Sequence, residues 1–374
     1  TPLSYQKIRT RKKQFHSSSL LLLEDFGQRG PKQFCFIYHN LIACLSFCTT
    51  TCGADCHTKM QHYRRQRSSL DECSERIEDV ATFEAAARAI SQEITEKGSI
   101  STSRCTEIIQ EKERVSDLLL YYFPGAMSGM QVFTKVKSVT NRLGLIRENS
   151  LFAKSICPDE INHEDGDLPD LLSHHFSHAF HLGGLAGVPF TGKTGLAAFK
   201  HHVPDNGHAF VLMAPHIGLS LDNELGKFSR YGQTHAGSAC GAAVGAFAHC
   251  CAGKEIPSLE ENFDDHEMAY IIREVSKRMD QIQDAGDDTN TQQAMLVKQT
   301  HEIAKNMLDH IVDVKFGGDK SSLVVLTGIQ VNMPRPFENF FQPLTFARHT
   351  KDGQVEDLFD EAFPEIEGDG QGFL

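Results

Sequence analysis
Long apolar runs are the first thing this sequence lacks. No window of its 374 residues holds 18 uninterrupted apolar side chains, roughly the length that crosses a bilayer as a helix. No membrane span is therefore expected in the mature protein. Basic charge is scarce as well: 37 Lys and Arg stand against 49 Asp and Glu, a net charge of −12. A nucleic-acid partner, which needs a basic face, is not expected. Internal repeats are absent, and so are the close C-x2-C pairs of zinc knuckles. Of 11 cysteines, Cys35, Cys44, Cys48, Cys52 and Cys56 crowd near the start. The rest, Cys73, Cys105, Cys157, Cys240, Cys250 and Cys251, are too scattered for a disulfide framework. They fit thiols that bind metal or lie buried.

What remains is an ordinary globular composition, 40% hydrophobic and 23% charged. The opening stretch stands apart. Lys7, Arg9, Arg11, Lys12, Lys13, Arg29 and Lys32 face only Glu24 and Asp25, then residues 34–48 are mostly apolar and 49–54 mostly small. That order resembles a secretory or plastid-targeting leader. Residues 1–70 are thus read as a leader or a disordered tail, with the chloroplast as the expected address. Residues 71–98 keep Ile77, Val80, Phe83, Ala87, Ile90 and Ile94 on one helical face and stop at Gly98. A second helix is expected over 103–122, and residues 71–119 are read as a helical arm packing on the core or on a second subunit.

Short apolar runs bounded by Pro and Gly, at 151–156, 209–214 and 323–331, predict buried strands. Helices are expected over 130–143, 168–180, 263–280 and 292–314, and in the small-residue stretch 239–252. The pattern predicts an α/β domain over residues 120–345, a central sheet flanked by helices and preceded by the helical arm. Residues 346–374 are acidic and Gly-containing and are expected to form a mobile tail.

Three residues stand where chemistry would collect. Cys157 follows the first strand in Cys-Pro-Asp-Glu, His216 follows the second in Ala-Pro-His-Ile-Gly, and Cys240 opens the small-residue helix. Functional crevices of open α/β sheets lie beyond the carboxyl ends of the strands, so the three can meet there. Two thiolates and one imidazole form a set that catalytic zinc sites use while leaving a fourth position for water. Because 58 residues separate Cys157 from His216 and 23 separate His216 from Cys240, the fold must assemble the site. A helix N-terminus would favour the Cys240 thiolate. Asp159 could accept a hydrogen bond from a metal-held water or take the fourth position itself. On spacing alone, buried structural cysteines and a satisfied turn histidine explain these residues equally well.

The segments SICPDEIN (155–162), GGLAGVPFTGKTG (183–195), HHVPDNGHAFVLMAPHIG (201–218), GKFSRYGQ (226–233) and SACGAA (238–243) resemble the limiting-carbon-dioxide-inducible B/C family of algae. That family is grouped with the theta-class carbonic anhydrases. The likeness runs from the YYFPGA stretch at 121 to about Pro334. It implies a fold akin to the beta-class carbonic anhydrases, with Zn2+ held by Cys157, His216 and Cys240. It also implies an Asp–Arg pair, for which Asp159 and Arg230 are the matching residues. The beta class itself carries its His and Cys two residues apart, and this chain departs from that. The implied reaction is reversible hydration of carbon dioxide to bicarbonate, in a homodimer or a complex with family relatives. Two thiolates offset the zinc charge, so an alkaline pH optimum is expected.

Two other readings stay open: a catalytically silent zinc-containing scaffold of the same family, and a nucleotide-binding protein. The latter rests on Gly187 to Thr194, which matches the P-loop pattern G-x-x-x-x-G-K-[ST] letter for letter. A working P-loop must follow a buried strand and open a helix, and no β-branched run precedes Gly187. The histidines at 163, 174, 175, 178 and 181 lack the spacing of H-E-x-x-H and are expected to be exposed rather than to form a second metal site.

Overall fold
The computed structural model describes residues 102–312, 322–335 and 337–366. From Arg104 onward these belong to one of two compact units into which the chain divides. The leader and the helix expected over 71–98 lie outside the described residues. In order come α1 (Thr102–Tyr122), β1 (Met127–Ser128), α2 (Gly129–Arg142), β2 (Ser150–Ile156), α3 (Leu168–Phe176), β3 (Phe180–His181), α4 (Gly192–His202), β4 (His208–Ala214) and β5 (His216–Gly218). They are followed by β6 (Lys227–Phe228), β7 (Gly237–Ser238), α5 (Gly241–Cys251), α6 (His266–Ser276), α7 (Met279–Gln283) and α8 (Thr289–Ile311). The last elements are β8 (Ser322–Asn332), β9 (Phe340–Thr350), β10 (Val355–Asp357) and α9 (Phe359–Ala362). Among the described residues no helix is long and apolar enough to cross a membrane.

One mixed sheet, ordered β1–β9–β8–β4–β2–β3, forms the middle layer; β5 extends along β8 and β10 along β9. Strands β3, β2, β4 and β8 run parallel, and β9 returns antiparallel to β8. The two-residue period of a strand buries both faces of β4. Ala209, Val211 and Met213 face α4, α5, α6 and α8, while Phe210, Leu212 and Ala214 face α2, α3 and α9. The expected α/β architecture, a sheet flanked by helices, is what the chain forms. At one end of the sheet α1 buries Ile108, Val115 and Leu119 against Ile217, Leu219, Ile329 and Val331. The described part of the expected arm is thus a core helix, and α1 runs straight through the expected boundary at 119/120.

Other expectations need correction. The helix expected over 168–180 ends at Phe176, because Ser177 adopts a positive φ of 78° and Phe180–His181 pairs with β2. The helix expected over 263–280 is broken between Ser276 and Met279, and Phe263 lies 81% exposed before it begins. The break lets Ile282 turn into the same core as Ile271 and Val275. The expected tail is packed as far as the structure describes it. β10 pairs with β9, and Leu358, Ala362 and Phe363 are buried with Phe346. Acidic composition misleads here because these apolar residues recur at helical spacing among the carboxylates. Residues 367–374 lie outside the described ones.

Asp167, just before α3, accepts hydrogen bonds from Asn339 Nδ2 at 2.8 Å and Gln330 Nε2 at 3.3 Å. Burial raises its pKa to about 7, against the Asn339 bond and with help from the charges of Glu164, Asp170 and Glu338. A raised carboxyl pKa means that the folded state holds its proton more tightly than the unfolded chain. The stability this contributes is complete below the unfolded pKa, about 4, and is lost as pH rises through about 7. Asp167→Asn, which keeps an acceptor without the charge, is therefore expected to gain more stability at pH 8 than at pH 5. Denaturant titrations at both pH values should differ in that gain by about 2–3 kcal/mol, because pH 5 lies roughly two units below the folded pKa of about 7. An equal gain at both would show that the carboxyl does not titrate in this window.

Candidate metal centre
The parallel pairing of β2 with β4 sets Ile156 opposite Ala214, so both strands leave the sheet at the same level. Cys157 emerges from one and Pro215–His216 from the other. His216 does not sit in a turn, as expected, but starts β5, paired opposite Gln330 of β8. Cys240 is the N-cap of α5, whose small residues let it lie close on the sheet. All three are buried, 2–3% exposed. Two glycines close the approach. A Cβ at Gly183 would sit 2.6 Å from the backbone of Ile156, and one at Gly187 would sit 2.6 Å from the Ala214 carbonyl.

The ligand atoms of Cys157, His216 and Cys240 lie within 4.8 Å of one another. The two sulfurs are 3.8 Å apart, far beyond the roughly 2.05 Å of a disulfide. That separation matches the edge of a tetrahedron built on bonds of about 2.3 Å, near 3.8 Å. His216 Nε2 is buried and has no hydrogen-bond partner, which leaves an orphaned lone pair or proton facing two sulfurs. This donor set fits a zinc ion. Among the described residues no other group of three His, Cys, Asp or Glu is so placed; His174 pairs with Asp170 at 3.1 Å and is 79% exposed.

The thiols are electrostatically unequal. The hydrogen bond with Cys240 pushes the Cys157 thiol up, and burial adds to it. The Cys240 thiol is drawn down by the Cys157 S–H and, against burial, by the backbone N–H groups of Ala243 and Ala242 at the start of α5. The sulfur at the helix N-terminus thus carries the charge first, in line with the helix dipole.

Beside the triad, Arg230 Nη2 donates to both Asp159 carboxylate oxygens at 2.9 Å. Its Nε donates to Glu160 at 2.8 Å and its Nη1 to the Ser238 carbonyl at 3.3 Å. The hairpin of β6 and β7 carries Arg230 there. Burial works against ionisation of Asp159, but the hydrogen bonds with Glu160 and Arg230 and the nearby His216 outweigh it and hold its pKa below the usual value. Asp159 Oδ2 lies 3.9 Å from His216 Nε2. Ile161, Phe228 and Ala239 form a small apolar cluster alongside.

Sequence reasoning missed three residues. Glu160 shares Arg230, Asn162 Nδ2 donates to the Cys157 carbonyl at 3.4 Å, and Asn332 contacts His216 Nδ1 at 2.7 Å. Asn332 directly follows the strand run expected at 323–331, so its place at a strand end was the available signal.

Five amides of the P-loop string are already bonded to backbone carbonyls. Gly187 N donates to Gly184, Val188 N to Leu185, Phe190 N to Val188, Thr191 N to Leu182 and Gly192 N to Pro189, while Pro189 has no N–H. A 3₁₀ turn, Leu185–Gly187, precedes it in place of a buried strand.

An α/β sheet with a buried cysteine–histidine–cysteine group at the carboxyl ends of its strands defines the class. The profile described as limiting CO2-inducible proteins B/C beta carbonic anhydrases matches residues 126–350, more than half of the chain, and the chain belongs to that family. The crystal structure of PtLCIB4, a homolog of the limiting CO2-inducible protein LCIB, is similar at 24% identity and a TM-score of 0.58, covering 64% of this chain and 98% of that one. A variant of PtLCIB4 gives 23% identity and a TM-score of 0.58, over 65% and 97%. The crystal structure of LCIB gives 18% and 0.47, over 64% and 96%. No curated protein matches significantly.

Two measurements check the site. Metal analysis of the purified chain is expected to find about one zinc per chain, and Cys157→Ser to lose most of it; full retention would refute the ligand set. Lys193→Ala is expected to leave folding intact, and neither protein should bind ATP in the micromolar range by calorimetry. Lys193-dependent ATP binding would restore the nucleotide reading.

Proposed function
We propose that the chain hydrates carbon dioxide reversibly to bicarbonate, with zinc held by Cys157, His216 and Cys240. The observation that carries this reading is the orphaned, buried His216 Nε2 facing two sulfurs, with the Asp159–Arg230 pair at its side. When bound, zinc acts as a Lewis acid that acidifies water near neutral pH. The remaining chemistry belongs to the chain. Asp159 accepts a hydrogen bond from the attacking water and turns one lone pair toward the carbon of carbon dioxide. Arg230, held at three points by Asp159, Glu160 and Ser238, keeps that carboxylate ionised and oriented. The apolar surface of Ile161, Phe228 and Ala239 suits an uncharged substrate and excludes competing water. Water and carbon dioxide leave as bicarbonate and a proton.

A chloroplast address and a homodimeric state belong to the same proposal and rest on the sequence expectations alone. The test is stopped-flow hydration by the full chain, with zinc content and melting temperature measured on the same preparation. Asp159→Asn removes the charge and can present an NH2 where an acceptor is needed. Its zinc content is expected to survive, while hydration per zinc falls at least tenfold, within the roughly 10–100-fold range of such supporting groups. Unchanged activity per zinc would remove Asp159 from the reaction. A zinc-loaded wild type without turnover would leave the silent scaffold.

A further inference from the structure
We propose that Asn332 is a positioning residue that fixes the tautomer of His216 and ties this ligand to the turn carrying Asp159. The inference rests on the metal reading above. Asn332 ends β8 and is fully buried. Its Nδ2 donates to the Ile161 backbone carbonyl at 3.0 Å, and its Oδ1 lies 2.7 Å from His216 Nδ1. A peptide carbonyl only accepts, so the NH2 end of the amide must face Ile161. Turned over, the amide would set two oxygens against each other and lose the bond to Ile161. Its oxygen therefore faces His216 and can only accept. It follows that Nδ1 carries the imidazole proton and that Nε2, the atom facing the two sulfurs, is left with its lone pair.

The neighbourhood pulls the other way. The Asp159 carboxylate lies 3.9 Å from Nε2 and would draw the proton to that nitrogen, where it would block a cation. The 2.7 Å bond to Asn332 opposes this at closer range. The chain of control thus runs from a backbone carbonyl at Ile161, through one amide, to the ligand nitrogen. It also ties the position of His216 to the Glu160–Asn162 turn, where Ile161 sits beside the Asp159–Arg230 pair.

The test uses the full chain and two variants. Asn332→Leu keeps the approximate size and removes both bonds, whereas Asn332→Asp keeps an acceptor for Nδ1. Cobalt(II) is titrated as the probe, read by its ligand-field absorption, and zinc affinity is taken from competition. Asn332→Leu is expected to bind both metals about 10–100-fold more weakly. Asn332→Asp is expected to restore most of that affinity even where it melts lower than wild type. A merely structural asparagine would lower melting in both variants and leave their affinities equal, which would overturn the proposal. Nitrogen-15 shifts of the His216 ring in the metal-free wild type give a reading independent of the variants' folding. Protonated Nδ1 is expected, and protonated Nε2 would overturn the inference. If the wild type binds neither metal while Nδ1 is protonated, the metal reading falls and the tautomer assignment stands.

Discussion
The site depends on the parallel register of β2, β4 and β8. Ile156 lies opposite Ala214, and Met213 opposite Thr327, so β2 and β4 end in step while β8 runs on beside β5 to Asn332, and Cys157, His216 and Asn332 meet at one crevice. That register is held by burial. Phe210, Val211, Leu212 and Met213 are each fully buried, and side chains of this size contribute about 1.5–3 kcal/mol each when taken from water. A slip of one residue would send each to the opposite face and would move a ligand by about 3.3 Å along its strand. The helices that pack on the two faces therefore specify the crevice, and α5 also reaches into it with Cys240.

The crevice also holds a buried polar atom without a partner, His216 Nε2. Two sulfurs and one imidazole nitrogen are buried together, and a buried polar atom without a partner costs about 1–3 kcal/mol. The N-terminus of α5 offsets part of this by pointing the amides of Ala242 and Ala243 at Cys240. Cys157 receives no such help and keeps its proton. Zinc binding to structural sites contributes about 10–16 kcal/mol in peptides, well above the cost of holding these groups together. The polar surroundings are divided accordingly: Arg230 serves the carboxylates of Asp159 and Glu160, and Asn332 serves the imidazole. Neither cationic nor amide partner spends its donors on the sulfurs.

What the sequence revealed, and what it hid, follows from how local each signal is. The three central strands read directly, because apolar runs bounded by Pro and Gly leave few alternatives, and Cys157 and Cys240 stand at their observed places. Asn332 and Glu160 did not stand out, since their roles depend on the pairing of β5 with β8 and on a hairpin that brings Arg230 from 70 residues away. The break between α6 and α7 was hidden for a related reason. Helical periodicity continues across it, and only the direction of the core at Ile282 decides against one straight helix. Beyond residue 350 charge density outweighed a few apolar residues in the reading, while in the fold Leu358 and Phe363 prevail because one aromatic ring buried on Phe346 outweighs several solvated carboxylates.

The Gly187 to Thr194 segment shows how a motif and a structure can share letters and differ in chemistry. A phosphate cradle needs backbone N–H groups that are free and convergent. Here the amides of Gly187, Val188, Phe190, Thr191 and Gly192 are all bonded to nearby backbone carbonyls. The same glycines have another use. Gly187, at a φ of +75°, brings the loop against the Ala214 carbonyl, and its own carbonyl accepts from Ser155 Oγ at 2.8 Å. The loop thereby clamps the last turns of β2 and β4 just before Cys157 and His216. A side chain at Gly187 would push the loop off the end of β4 just before His216, so this glycine supports the placement of that ligand.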